Sequence, residues 1–248
     1  MSEPGPLPPT ACVGIDVVDR RSPRVLPGLP RDRTVRRVLD EREFASLAAA
    51  PDPALRFWTY WAAKEAAFKA VTLRRGAPPV FAHAAFAVDL DDQVVRYGEH
   101  TLRLSVHSTD ERLVAVARTG EHPDGLVWAA GRIDVVHDGL GGGSLKKLLA
   151  RFTAAERDAV HRLESAIARL AVRREAAIVL ATDQASVEVI CPAGPAGRRP
   201  LYLHRDGRLV DEVGLSISHD GGWVAWAVAS GGPTGQRAGR MRPPEGMG

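Results

Sequence analysis

Two cysteines in 248 residues, Cys12 and Cys191, cannot build a disulfide framework, and a cytoplasmic protein is the expectation. No apolar run approaches the roughly eighteen residues needed to cross a bilayer, which excludes a membrane span. Met1 to Thr10 is polar and Pro-rich, unlike a secretory leader. The chain also lacks zinc-ligand spacing and any recognition-helix pattern, and its arginines are scattered. Nucleic acid is therefore not the expected partner, despite a net charge of +3 and a pI near 9.1. That charge suits an acidic macromolecule instead.

The chain does have the means to build a core, with 45% hydrophobic and 25% charged residues. Val13-Gly14-Ile15-Asp16-Val17-Val18-Asp19 is an apolar, β-branched run with a carboxylate at its centre, as in a buried strand. An unpaired carboxylate there costs several kcal/mol, so Asp16 needs a cation, a basic side chain or backbone donors. Pro53 to Val71 reads as a helix, with Phe57, Trp61, Lys64 or Glu65, and Phe68 recurring at three- and four-residue steps. Glu65 and Lys69 lie one turn apart, on the edge of a mainly apolar helix. A strand-borne acid together with this Glu and Lys are the parts that hold a divalent metal against a diphosphate, and they point to phosphoryl-transfer chemistry.

Echoes recur at offsets of about 110 to 118 residues, pointing to a worn internal duplication. Gly14-Ile15-Asp16-Val17-Val18 is echoed by Arg132-Ile133-Asp134-Val135-Val136, and the capping-box pair Asp40 and Glu43 by Thr153 and Glu156. Lys64-Glu65 is echoed by Arg174-Glu175, and Leu104-Ser105-Val106-His107 by Leu215-Ser216-Ile217-Ser218-His219. The first copy keeps Asp16, Glu65 and Lys69, whereas the second keeps the fuller Ser-His turn and Arg198-Arg199-Pro200. Such complementary decay implies one composite site between the halves. Gly139 to Ser144 reads as a flexible loop, and the Gly-, Pro- and Arg-rich 231–248 as a disordered tail.

Gly14-Ile15-Asp16, then Arg56-Phe57 and Trp61-Ala62-Ala63-Lys64-Glu65-Ala66-Ala67-Phe68-Lys69, then Gly197-Arg198-Arg199-Pro200 with Ser216-Ile217-Ser218-His219, together resemble the signature of the 4′-phosphopantetheinyl transferase superfamily. The resemblance implies an α+β fold of two similar α/β halves, 1–120 and 121–230, forming a pseudodimer with the active site in the cleft. The metal-binding half leads, the reverse of the usual order in long family members.

The resemblance also implies a reaction: transfer of the 4′-phosphopantetheine arm of coenzyme A to a serine of an acyl- or peptidyl-carrier protein, with release of adenosine 3′,5′-bisphosphate. Mg²⁺ would be held by Asp16 and Glu65, with Asp19 as a further contributor. Glu65 would serve as general base and Lys69 would bind phosphate. Ser218, His219, Arg169 and Arg199 would hold the nucleotide end, and Lys64 is either a coenzyme contact or an ordinary solvated helix residue. Thr153 to Leu180 reads as a helical stretch, on which Arg162, Arg173 and Arg174 read as a solvated basic face. The intact Asp16, Glu65, Lys69 and His219 favour an active enzyme. The unusual half order, and Val18 where a further acid could stand, keep a non-catalytic coenzyme A or carrier-binding module as the alternative.

Overall fold

A computed structural model describes residues 9–26, 28–80, 82–120, 125–192 and 200–231. Strand β1 (Val13–Asp19) is buried along its whole length. Its alternate residues look in opposite directions, as the pleat requires. Val13, Ile15 and Val17 join Val114, Val116, Ala225 and Ala227 in one cluster, whereas Val18 packs with the apolar side of helix α3 (Pro53–Arg75). Cover on both faces explains the nearly unbroken apolar run. Asp16 shares a face with Val18 and is thereby turned toward α3.

Helix α3 starts where Asp52 accepts the Leu55 N–H at 2.9 Å ahead of Pro53, and it ends at Gly76, whose φ of 66° suits glycine. It outruns the expected Val71 by one turn. Ala62, Ala63, Ala66, Ala67 and Ala70 are all fully buried, and these small side chains let the helix sit close on the sheet. Gly14 completes the fit: a Cβ there would stand 1.8 Å from the Ala66 carbonyl oxygen.

β1 is the edge of a five-stranded antiparallel sheet ordered β1-β5-β4-β3-β2, with β2 Ala87–Asp89, β3 Val94–Tyr97, β4 His100–Ser108 and β5 Arg112–Arg118. Helices α1 (Asp32–Val38) and α2 (Glu41–Ala48) precede α3. A three-stranded sheet ordered β10-β11-β6 is built from β6 (Leu126–Arg132), β10 (Val213–Asp220) and β11 (Trp223–Ser230). A third, β7-β8-β9, comprises β7 (Val187–Ile190), β8 (Tyr202–Arg205) and β9 (Arg208–Leu209). Between β6 and β7 run α4 (Ile133–Gly139), α5 (Leu145–Leu149), α6 (Ala154–Arg157) and α7 (Leu163–Val179). The chain is thus α+β.

The outer edge of β1 is closed by side chains rather than by another backbone. Ile15 N–H donates to Ser216 Oγ at 3.0 Å, Val17 N–H to Ser218 Oγ at 3.3 Å and Asp19 N–H to Asp220 Oδ2 at 2.9 Å. Every second residue of β10 therefore satisfies every second residue of β1, and buried donors do need such partners.

Both anticipated capping boxes form, and each does more than cap. Glu43 and Glu156 close their boxes on Asp40 and Thr153. Glu43 then accepts the Val88 N–H and pairs with Lys64 at 2.6 Å, whereas Glu156 accepts the Val189 N–H and pairs with Arg173 at 3.2 Å.

Two expectations fail. Residues 132–136 do not repeat β1, because Ile133–Gly139 is helical and Asp134 lies in its first turn, where it accepts the Val135 N–H. The strand that runs beside β11 as β1 runs beside β5 is β6. Nor is Thr153 to Leu180 one helical stretch: it breaks between α6 and α7, and the break buries Val160 beside Ile167 and Leu170.

Candidate active site

Helix α3 on one side and α7 with β10 on the other enclose a cleft of about 410 Å³. Asp16, Glu65, Lys69, Arg169, Ser218 and His219 all line it, although they come from four elements and up to 203 residues apart in sequence.

Asp16 is the most constrained of them. Lys69 Nζ donates to Asp16 Oδ1 at 2.8 Å and to the Ile15 carbonyl at 2.8 Å, and Ser218 Oγ donates to the same Oδ1 at 2.8 Å. Burial is the largest influence on its carboxyl and raises its pKa above the ordinary carboxylate value; the Glu65 charge pushes the same way, against Lys69 and Ser218. Two carboxylates close enough for the charge of Glu65 to raise Asp16 form a pocket of anionic oxygen suited to a hard divalent cation.

The pocket is incomplete as a protein cage. Among the described residues no group of three or more His, Cys, Asp or Glu side chains could hold a metal ion. Two carboxylates with substrate phosphates and waters is the usual set for Mg²⁺, so the residues present fit that ion.

Glu65 is mostly buried and lies 3.5 Å from His83 Nε2. The His83 ring packs on Trp61 with centroids 4.6 Å apart. On the opposite rim, loss of solvation holds the exposed His219 below the ordinary histidine value. Lys69 and Arg162 reinforce this and Glu164 and Asp220 oppose it, leaving the imidazole neutral at pH 7. Arg169 is 5% exposed and donates to the Val189 carbonyl at 3.3 Å.

Lys64 is neither a cleft residue nor a solvated one. It is fully buried, its ammonium held between Glu43 and the His83 carbonyl at 3.1 Å. One residue before Glu65 on the helix, it points about 100° away from the Glu65 and Lys69 side. Desolvation pushes Lys64 down and Glu43 up, with each partner pulling the other back. Asp19 also stands apart from the cleft, accepting the Arg21 and Gly222 N–H groups, both at 2.9 Å. Arg173 belongs to no solvated face, since it is 6% exposed and bonded to Glu156, Arg151 and Gln184. Arg199 lies outside the described residues.

Thr72, Ser165, Cys191 and Ser216 also line the cleft, and His83 reaches Glu65. The alternation of Ser216 and Ser218 on an apolar strand was a usable signal for one of these. The sequence around His83 carries none.

A buried acid, a second carboxylate and a lysine thus face basic and hydroxyl groups across one cleft. Residues 12–117, somewhat under half the chain, match the family model of the 4′-phosphopantetheinyl transferase superfamily, a family of transferases. No curated protein matches the chain.

Proposed function

We propose that the chain is a Mg²⁺-dependent 4′-phosphopantetheinyl transferase that moves the phosphopantetheine arm of coenzyme A to a serine of an acyl- or peptidyl-carrier protein. The observation that carries this reading is the convergence of Asp16, Glu65 and Lys69 with Arg169, Ser218 and His219 on one cleft. Recurrence of a capped buried glutamate, a following long helix and an antiparallel strand pair in 1–120 and 121–230 supports two similar halves with the site between them.

Bound at Asp16 and Glu65, Mg²⁺ would neutralise the diphosphate and the charge developing on the leaving oxygen. Lys69 has two of its three N–H groups fixed by Ile15 and Asp16, which aims the third at a phosphate oxygen. Glu65 takes the carrier serine proton as the serine oxygen bonds to the pantetheine-side phosphorus. The bond from that phosphorus to the bridging oxygen breaks, and adenosine 3′,5′-bisphosphate leaves. Ser218 keeps Asp16 in place, neutral His219 offers a hydrogen bond to phosphate, and Arg169 and Arg199 serve the nucleotide.

A positive chain and an acidic carrier fit together electrostatically, and a cytoplasmic location accords with the cysteine content. A second reading, a binding module without turnover, is favoured by one observation: Val18, on the same face as Asp16, is buried against α3 and adds no third carboxylate.

The test is intact-mass spectrometry of apo carrier proteins incubated with the chain, coenzyme A and Mg²⁺. A gain of one phosphopantetheine arm that EDTA abolishes establishes transfer. No gain on any carrier, with coenzyme A still bound calorimetrically, leaves the binding module.

A further inference from the structure

Helix α3 carries two threonines that behave differently. Thr59 Oγ1 donates to the Leu55 carbonyl one turn back at 2.8 Å, the usual way for a helical threonine to satisfy its hydroxyl. Thr72 makes no such bond. It is 5% exposed, its Oγ1 has no hydrogen-bond partner among the described residues, and it lines the cleft. A buried hydroxyl without a partner is unfavourable, so its place in a cleft wall points to a ligand that supplies the acceptor.

Across the cleft, Arg169 is equally buried, and its Nε also has no hydrogen-bond partner among the described residues. The two walls thus each present an unused donor.

Position identifies the group they await. Glu65, Lys69 and Thr72 follow one another along one side of α3, and Thr72 lies about 4.5 Å beyond Lys69 along the axis. Leu73, Leu201 and Leu215 share the cleft lining, and these apolar walls suit an adenosine better than a polar pantetheine arm. With the diphosphate at Lys69, the nucleotide then extends toward Thr72, and its ribose carries a phosphomonoester rich in acceptors.

We infer that Thr72 is a coenzyme-contacting residue whose hydroxyl donates to the 3′-phosphate, with Arg169 Nε as the opposing donor. This rests on the coenzyme A reading above.

Calorimetry with coenzyme A and with 3′-dephospho-coenzyme A, on the full chain and on its Thr72→Val and Thr72→Ser variants, tests it. Thr72→Val keeps the volume and removes the hydroxyl. It should weaken coenzyme A about tenfold, leave 3′-dephospho-coenzyme A unchanged, and melt no lower than the parent without ligand. Thr72→Ser should restore coenzyme A binding. Unchanged coenzyme A affinity in Thr72→Val, or equal loss on both ligands, overturns the assignment. A parent chain that binds neither ligand overturns the coenzyme reading itself, and that is seen before any variant is compared.

Discussion

Ser218 holds Asp16 in register with β1: its hydroxyl donates to Asp16 Oδ1 at 2.8 Å while its oxygen accepts the N–H of Val17, the next residue, at 3.3 Å. One side chain from β10 thus fixes both the backbone and the carboxylate of the strand it meets. Ser218→Ala should cost about 1–3 kcal/mol by leaving the Val17 N–H buried without an acceptor, and it should also lower kcat. Ser216→Ala, which strips only the Ile15 N–H, should cost about as much on the same principle. Chemical denaturation and initial rates on both variants check this, and an equal drop in kcat would show that the Asp16 contact has no role of its own.

Asp16→Asn keeps an oxygen for Lys69 and Ser218 and removes the charge. A carboxyl whose folded pKa is raised destabilises the folded state when ionised. That cost is absent below the ordinary value of 3.8 and grows as pH rises through the folded value. The variant should therefore melt at or above the parent at pH 7, with the difference gone at strongly acidic pH, and it should transfer nothing. Scanning calorimetry across that range decides it; a variant that melts lower at pH 7 contradicts it.

The two lysines of the Lys-Glu helix should separate cleanly. Lys64→Met leaves Glu43 charged and buried and should destabilise by about 3–5 kcal/mol, with the KM for coenzyme A unchanged in whatever remains folded. Lys69→Ala leaves the buried Asp16 carboxylate with Ser218 alone and should also cost stability, but unlike Lys64→Met it should raise that KM, as it removes a partly exposed phosphate ligand. Melting temperatures set beside steady-state kinetics distinguish the two roles, and a reversed pattern would exchange them.

Gly14→Ala should destabilise by about 3 kcal/mol, because its Cβ meets the Ala66 carbonyl oxygen and the Ala70 nitrogen, both backbone atoms that cannot turn aside. Urea unfolding measures it. Wild-type stability in this variant would mean that α3 sits farther from β1 than described.

Thiol labelling reports on the cleft directly. Cys12 is 1% exposed, and burial pushes its pKa up to about 11, so it should resist alkylation at pH 8. Cys191 is partly exposed and lines the cleft, so it should label, and saturating coenzyme A should slow that labelling. Protection of neither thiol by the coenzyme would count against the cleft as its site.

What the sequence disclosed was local. A carboxylate inside a β-branched run, a long helix and two capping boxes are short-range patterns, and all were readable. Asp16, Glu65 and Lys69 were legible for the same reason, since strand alternation and helical period determine which faces they occupy. Lys64 was not: its burial depends on Glu43, on a different helix, and helical spacing cannot say which of two adjacent charged residues turns inward. The supposed echo of Gly14-Ile15-Asp16 at Arg132-Ile133-Asp134 failed because an acid in a short apolar run serves a helix start as readily as a strand. Thr72 carries no signal in the sequence, because only the cleft shows that its hydroxyl is left without an acceptor.

The hydroxyl seam between β1 and β10 also sets an order of assembly. The bonds that fix Asp16 and its neighbours come from residues about two hundred positions later in the chain. During synthesis the first sheet and α3 leave the ribosome long before β10 exists, and they can pack with the carboxylate held by Lys69 alone. The geometry around Asp16 is consequently among the last features the polypeptide acquires. A nascent chain stopped before Ser216 would carry the acid, the helix and the lysine without the clasp that makes them a site.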